Sequence, residues 1–531
     1  MRALVLCLAL LPALVAAPPV VEEAPIRAHM AFLADPLLEG RGTGQRGGDL
    51  AVKYLEAQLR ALGLKPLVGE GYLQRVEMQG AKLDRARSAL AFSGPRGTVA
   101  PAFWKDVVYG SGGGLAEARI DAPVVFVGYG IEAKGESWDD FKGLDYKGKF
   151  LIMLVGEPRP SAAEPRRFDG ANLTLHGRWR TKFEEAYRRG AAGVLVIHDD
   201  ECASYDWSVA RNGFEGERFA LAGCSGAPLV GWLQQDAARA LLKAGGQDLE
   251  ALRRAAEVKD FRPVPLNLKA QGQVVSALRT FPQFNVAGLL PGRDPALKAE
   301  AVVYSAHWDH LGIQDGKIYC GAIDNGSAIG SLLAVAQASV AHPARRSQIF
   351  LFTCGEEQGL LGAEAYVKNP LWPLAKTVAN LNFESLNWVG LSHDIEFLGG
   401  ERSTLLTLAQ EVGKLTGLAP MVGQTDPSGL YFRSDHYPFA AVGIPALSPG
   451  FSLAGQRDYL ENPEASRAKG KTYLDRYHQV TDTYDPAWDL RGMVQQAQFI
   501  LNLGRAIADG DGLPRMLGNA EVPQKNHHGE H

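Results

Sequence analysis

The stretch AVVYSAHWDHLG (301–312), followed by GAIDNGSAIGSLLAVAQA (321–338), decides how this chain folds. Its first part is a short apolar run that stops at His307, Asp309 and His310. The second is a Gly-rich loop entering the apolar helix Ser327 to Ala338. The pattern repeats at IFLFTC (349–354), then the loop GEEQG (355–359), then a helix from Leu361 to Val367, before TVANLNF (377–383) supplies a third strand. Short buried strands alternating with helices predict an α/β fold, with a mostly parallel central sheet and helices on both faces. Ligand sites in such sheets gather where the strands end.

The residues at those ends are of one chemical kind. His307 and Asp309 close the first run, Asp324 lies in the loop before the helix, Glu356 and Glu357 follow IFLFTCG, and Glu384 follows TVANLNF. Farther on, His478 sits in DRYHQVTDTYD (475–485). Imidazole nitrogen and carboxylate oxygen are suitable ligands for zinc. Any one of these residues alone would more often be a solvated or structural group; His307, Asp324, Glu356, Glu357, Glu384 and His478 together at the ends of buried elements point to a metal centre. Consecutive glutamates face opposite ways in a strand, so both serve one site only if the chain turns there, and Gly355 with QGLLG supplies such a turn.

Upstream, Asp49 to Leu62 has helical periodicity stopped by Gly63. The Gly-rich LEGRGTGQRGG (38–48) lacks the Gly-Lys-Ser/Thr ending of a phosphate-binding loop and precedes any clear strand, so it reads as a turn before that helix. Alternating segments in 72–110 predict half-buried strands. PVVFVGYG (123–130), FLIMLVG (150–156) and AGVLVIHD (192–199), with a helix from Lys182 to Arg189, give the interval 111–275 a core pattern of its own, free of clustered metal ligands. The expected organisation is a first segment of the main domain at 18–110, an inserted lobe at 111–275, the rest of the main domain at 276–510 and a polar, His-rich tail at 511–531.

Residues 1–17, MRALVLCLALLPALVAA, have the composition of a signal peptide and are too short to span a bilayer comfortably. The expectation is an exported protein, periplasmic or extracellular, with no stable membrane anchor. Of the five cysteines in the chain, Cys202, Cys224, Cys320 and Cys354 lie outside that segment. Pairs Cys202 with Cys224 and Cys320 with Cys354 are compatible with an oxidising compartment, and buried free thiols are equally so. With 531 residues, 46% hydrophobic, and a formal net charge of -4, the chain can bury a sizeable core in more than one domain. No global positive field is present to gather nucleic acid.

The words SAHWDHLG (305–312), GAIDNGSA (321–328), TCGEEQGLLGAEAY (353–366), NLNFES (380–385), SDHYPFAAVGIPAL (434–447) and YHQVTDTYD (477–485) occur in an order that resembles the M28 family of metallopeptidases, cocatalytic zinc aminopeptidases of the zinc-exopeptidase fold. The resemblance implies two Zn2+ ions per chain. His307 and Glu384 would hold one, Glu357 and His478 the other, and Asp324 would bridge them. It also implies Asp309 as the acid that orients His307, Glu356 as the general base, and Tyr477 as a donor to the tetrahedral intermediate. Many members carry Asp where this chain has Glu384. VVFVGYGI (124–131), WDDFKGLDYKGKFLIMLVG (138–156) and FEEAYRRGAAGVLVI (183–197) resemble a protease-associated (PA) domain, so a mainly-β insert over the cleft is expected. Asp426, Tyr431, Arg433, Asp435 and His436 are candidates to line the substrate site.

The activity implied is removal of N-terminal residues from peptides with a free amino end. A carboxypeptidase or dipeptidase on the same site is the alternative within that chemistry, and it would need a basic residue such as Arg433 aimed at a terminal carboxylate. A glutaminyl cyclase-like enzyme with one zinc and a receptor-like ectodomain without zinc are further readings, and the complete donor set argues against both.

Overall fold

The computed structural model describes residues 18–214, 216–450 and 454–517. The expected signal peptide and most of the His-rich tail therefore lie outside the described residues.

The centre of the main sheet is built from the runs that stood out in the sequence. Strands Ala301–His307, Ser347–Thr353, Thr377–Asn382 and Ala446–Gly450 run parallel in the spatial order Ser347–Thr353, Ala301–His307, Thr377–Asn382, Ala446–Gly450. His307 stands opposite Thr353, and Ser305 opposite Asn382. Every residue of the first three strands is buried, which is why they read as continuous apolar runs rather than alternating ones. Val302, Tyr304 and Ala306 join one core with helices Glu23–Leu33, Ala328–Val340 and Arg491–Asp509. Ala301 and Val303 join another with helices Leu361–Lys368 and His436–Ala441. The period-two alternation of side chains thus feeds two helical layers. Antiparallel strands close the sheet, Asp394–Leu398 on one side and the end of the long strand Val264–Leu290 on the other.

The second lobe is built on a sheet of its own. Strands Glu117–Phe126, Phe150–Leu154, Gly193–Ile197 and Val230–Leu233 lie parallel in that order, with Val107–Gly110 antiparallel at one edge. On the other edge Val264–Leu290 pairs with both Glu117–Phe126 and Ala89–Gly94. Helix Trp179–Arg188 packs on one face and helices Gln235–Ala244 and Leu249–Ala256 on the other.

Two expectations change here. Strands Ala89–Gly94 and Val107–Gly110, assigned from sequence to the first segment of the main domain, belong to the lobe's sheet, so the lobe starts before residue 111. Half-buried alternation shows that a strand has one wet face and does not say which sheet takes the other. The lobe also has parallel strands with helices on both faces, a more helical layout than a mainly-β insert. It hands one strand back, because Glu217–Leu221 pairs with Leu73–Leu83 of the main sheet. All four described cysteines are free, so neither possible disulfide is present.

Candidate metal centre

The parallel strands end side by side, and the loops that leave them bring the predicted residues together. His307 is the last residue of its strand. Its Nε2 lies 3.1 Å from Glu384 Oε1, 3.4 Å from Asp324 Oδ1 and 4.0 Å from Glu356 Oε2. His478 Nε2 lies 3.3 Å from Asp324 Oδ2 and 3.0 Å from Glu357 Oε2. Asp324 thus faces His307 with one oxygen and His478 with the other. The donors fall into two adjoining sets, His307 with Glu356 and Glu384, and His310 with Asp324 and Glu357.

Each loop is held by specific contacts. Gly355, at φ +66°, starts the turn expected between strand and helix, and Gly359 N and Leu360 N both donate to Glu356 O. The turn sends the two consecutive glutamates to different sets, Glu356 toward His307 and Glu357 toward His310. Asp324 sits in the irregular helical turn Ala322–Ser327, and the Asp324–Asn325 peptide is cis. The buried carboxylate of Asp482 accepts from Ile323 N at 3.0 Å and Asp324 N at 3.1 Å. Asn325 ties this turn to the Glu384 loop, donating to Phe383 O and accepting from Ser385 N. Ser434 Oγ donates to Glu384 Oε2 at 2.9 Å, leaving Oε1 toward His307.

Asp309 does not contact His307 as expected. His307 Nδ1 meets the carbonyl oxygen of Asp309 at 3.0 Å, whereas the Asp309 carboxylate is 3.9 Å away. That carboxylate instead accepts from Glu356 N at 3.1 Å and from Thr43 Oγ1 at 3.0 Å. The imidazole is still fixed in one tautomer, Nδ1–H to carbonyl, which leaves Nε2 as the free lone pair. Asp309 thereby anchors the backbone of the glutamate pair.

His310, quoted in SAHWDHLG but given no role there, is fully buried and places Nδ1 2.7 Å from Glu357 Oε1. Its Nε2 has no hydrogen-bond partner. The signal was its position three residues after His307, in the same strand-ending word. Sequence reasoning also missed Arg41. This guanidinium is wholly buried and donates to four carbonyl oxygens: Trp308 O (3.0 Å), Leu33 O (2.5 Å), Cys320 O (2.7 Å) and Gly321 O (2.8 Å). The Gly-rich segment around it is a brace beneath two of the loops that carry donors.

Electrostatics in the pocket follow from burial and from opposed charges. Burial disfavours charge on His307, but Glu384 and Glu356 raise its pKa well above the ordinary value. Burial acts likewise on His478, where Glu357 reverses it. Against their own burial, His307 and His478 hold Asp324 well below the usual carboxylate range, and His478 and His310 draw Glu357 down to about 2. Burial pushes the Glu356 carboxyl well up against the opposing pull of His307, and repulsion from Glu384 and Glu357 adds to the rise. Several buried carboxylates here are neutralised only by imidazoles. Together with the unpartnered Nε2 atoms of His310 and His478, the second lying 3.0 Å from Glu357 without hydrogen-bond geometry, this donor set fits a bound divalent cation.

Tyr477 stacks on His478 with ring centroids 3.9 Å apart. Thr353 Oγ1 donates to Asp435, whose carboxyl burial pushes up to about 7. His436 is buried against the Tyr431 ring, with centroids 5.1 Å apart. Asp426 caps the turn Leu430–Arg433 through Leu430 N and Tyr431 N.

The fold is similar to an aminopeptidase from Aneurinibacillus sp. strain AM-1, with a TM-score of 0.51 at 16% identity, covering 92% of this chain and 94% of that one. A vacuolar membrane protease of Schizophyllum commune is 33% identical over 202 residues, which are 37% of this chain and 19% of that protein. One of Saccharomyces cerevisiae is 36% identical over 106 residues, 20% of this chain and 10% of that protein. The chain thus spans only a tenth to a fifth of the length of these relatives. No helix among the described residues is long and apolar enough to cross a membrane. The profile of Peptidase family M28 matches residues 285–502, the segment that holds His307, His310, Asp324, Glu356, Glu357, Glu384 and His478.

Proposed function

We propose that the chain is a zinc-dependent aminopeptidase that binds two zinc ions and releases N-terminal residues from peptides. The observation that carries this reading is the meeting of His307, Asp324, Glu356, Glu357, Glu384 and His478 at the ends of adjacent parallel strands, with Asp324 facing both imidazoles. His307 and Glu384 would hold one ion, His478 and Glu357 the other, and Asp324 both. His310 would steady Glu357 through Nδ1. When bound, the zinc pair would polarise the scissile carbonyl and acidify a water.

Glu356 is the residue placed to move the proton. Its raised pKa suits a general base, which takes a proton from water and returns it to the leaving amine, and its backbone is anchored by Asp309. Tyr477 keeps its proton because burial raises the phenol pKa, so it remains a donor toward a developing oxyanion. The likeness to an aminopeptidase supports action at the amino end. The test is bound-zinc content together with turnover of Leu-amide and N-acetyl-Leu-amide, for the wild type and Glu356→Gln. Expected are two zincs in both proteins, hydrolysis of the free amine alone, and a loss of about 10²- to 10⁴-fold in the variant. Equal turnover of the blocked substrate would overturn the aminopeptidase reading.

A further inference from the structure

Asp482 is buried, and both its carboxylate and its carbonyl hold the backbone of the turn that carries Asp324. Oδ1 accepts from Ile323 N at 3.0 Å, Oδ2 from Asp324 N at 3.1 Å, and the carbonyl oxygen from Ala322 N at 3.2 Å. Three consecutive amides of that turn therefore end on one residue. Asp482 lies four positions after His478 in a loop that is itself folded back on the chain: Asp482 N donates to Gln479 O at 3.1 Å, and Arg476 Nη1 to Thr481 O at 2.8 Å. The loop that presents His478 thus also anchors the turn that presents Asp324, whose Oδ2 lies 3.3 Å from His478 Nε2.

The start of the turn meets the opposite charge. Arg41 donates to Cys320 O at 2.7 Å and Gly321 O at 2.8 Å, directly before the amides that Asp482 accepts. Carbonyls meet the buried cation and amides the buried anion, so residues 320–324 are clamped from both ends of their peptide dipoles. Removing either charge would leave buried backbone groups without partners. The end of the turn is held differently. Asn325 Nδ2 donates to Phe383 O at 3.3 Å, and Asn325 Oδ1 accepts from Ser385 N at 3.0 Å, which ties that end to the loop of Glu384. Glu384 is also fixed by Ser434 Oγ, and His307 by Asp309 O. The contacts of the His307 and Glu384 half do not run through Asp482, whereas those joining Asp324 to the His478 loop do.

We propose that Asp482 is a positioning residue for one half of the metal centre: by coupling the His478 loop to the Asp324 turn it sets the affinity of the ion at Glu357 and His478, while the ion at His307 and Glu384 is independent of it. This rests on the two-zinc reading above. Asp324 faces His307 with Oδ1 and His478 with Oδ2, and only the second meeting depends on the clamp. Without Asp482 the chain becomes a one-zinc protein at zinc concentrations that fill both sites of the wild type.

The test uses the full chain and reads metal binding, independent of turnover. Competition with chelators of graded strength gives the two zinc affinities, and the visible absorption of the chain loaded with one and then two equivalents of cobalt(II) reports the coordination of each half. Asp482→Asn keeps the outline of the side chain but has a single acceptor oxygen, so it is expected to weaken the second zinc about ten- to hundredfold and to leave the first unchanged. The cobalt spectrum should likewise match the wild type at one equivalent and depart from it at two. Asp482→Glu keeps the charge and both acceptors and should restore part of the second affinity. If the Asn variant does not fold, the Glu variant decides alone, because its smaller loss must still fall on the second ion. Equal weakening of both ions, which a general loosening of the fold would give, or weakening of neither, overturns the role of Asp482 and leaves the two-zinc reading intact. A wild-type chain that binds fewer than two zincs overturns that reading and this one with it.

Discussion

Replacing Arg41 with lysine should loosen the metal centre from below, although Arg41 is not itself a candidate ligand. The guanidinium satisfies four buried carbonyls, at Trp308, Leu33, Cys320 and Gly321. Trp308 directly follows His307, while Cys320 and Gly321 directly precede the turn that carries Asp324. A lysine ammonium has three donors on a flexible stem and cannot reproduce the planar spread, so at least one carbonyl is left without a partner. Hydrogen bonds from charged donors are worth about 1.5–3 kcal/mol each, and an orphaned buried acceptor costs about 1–3 kcal/mol. Losing one or two contacts therefore predicts a destabilisation of about 2–5 kcal/mol, a large fraction of the ~5–15 kcal/mol typical of a domain. The displaced loops should also lower zinc affinity about ten- to hundredfold, the usual effect of disturbing residues that orient ligands. Guanidinium denaturation of the zinc-loaded protein and chelator competition measure the two effects. An Arg41→Lys protein with the wild-type denaturation midpoint and wild-type zinc retention would refute the reasoning.

His310→Ala removes the Nδ1 contact to Glu357 and is expected to weaken zinc binding about ten- to hundredfold, read by chelator titration; unchanged affinity would leave His310 a packing residue. Burial lowers the pKa of His29 to about 4. Between about pH 6.5 and 4 the unfolded chain then binds the proton more readily, so this residue costs stability as pH falls through that window, by up to about 3 kcal/mol, and nothing further below it. His29→Gln lacks that dependence, so denaturation midpoints at pH 7 and pH 5 should show the wild type losing ground to the variant on acidification. A gap that does not change with pH would contradict it.

The sheet was legible because its strands are buried on both faces: Ala301–His307 and Ser347–Thr353 carry no exposed position to blur their ends, so the polar residues after them stood out. Gly355 gave away the turn that separates Glu356 from Glu357. Other features depend on contacts distant in sequence. Arg41 lies in a Gly-rich word, and its partners are 267 and 279 residues away at Trp308 and Cys320. Asp309 shares a word with His307, yet its carboxylate turns to Glu356 N and Thr43, a choice set by how the loop folds back. Likewise, period-two alternation cannot say that Ala89–Gly94 joins the lobe rather than the main sheet.

Strand Val264–Leu290 runs unbroken from one sheet into the other, pairing with Glu117–Phe126 in its first part and with Leu73–Leu83 and Ser347–Thr353 in its second. A lobe joined to its neighbour by a loop can be excised, swapped or grafted as a cassette. This one cannot, because any cut that frees it opens a hydrogen-bonded ladder in the sheet that carries the metal loops. Deleting residues 111–275 would leave Val107–Gly110 without its partner and Ala89–Gly94 with only the short strand Gly97–Val99, and would also remove Glu217–Leu221 from the edge of the main sheet. Lobe and main domain therefore share one hydrogen-bonded framework and are expected to fold and unfold together rather than as separable modules.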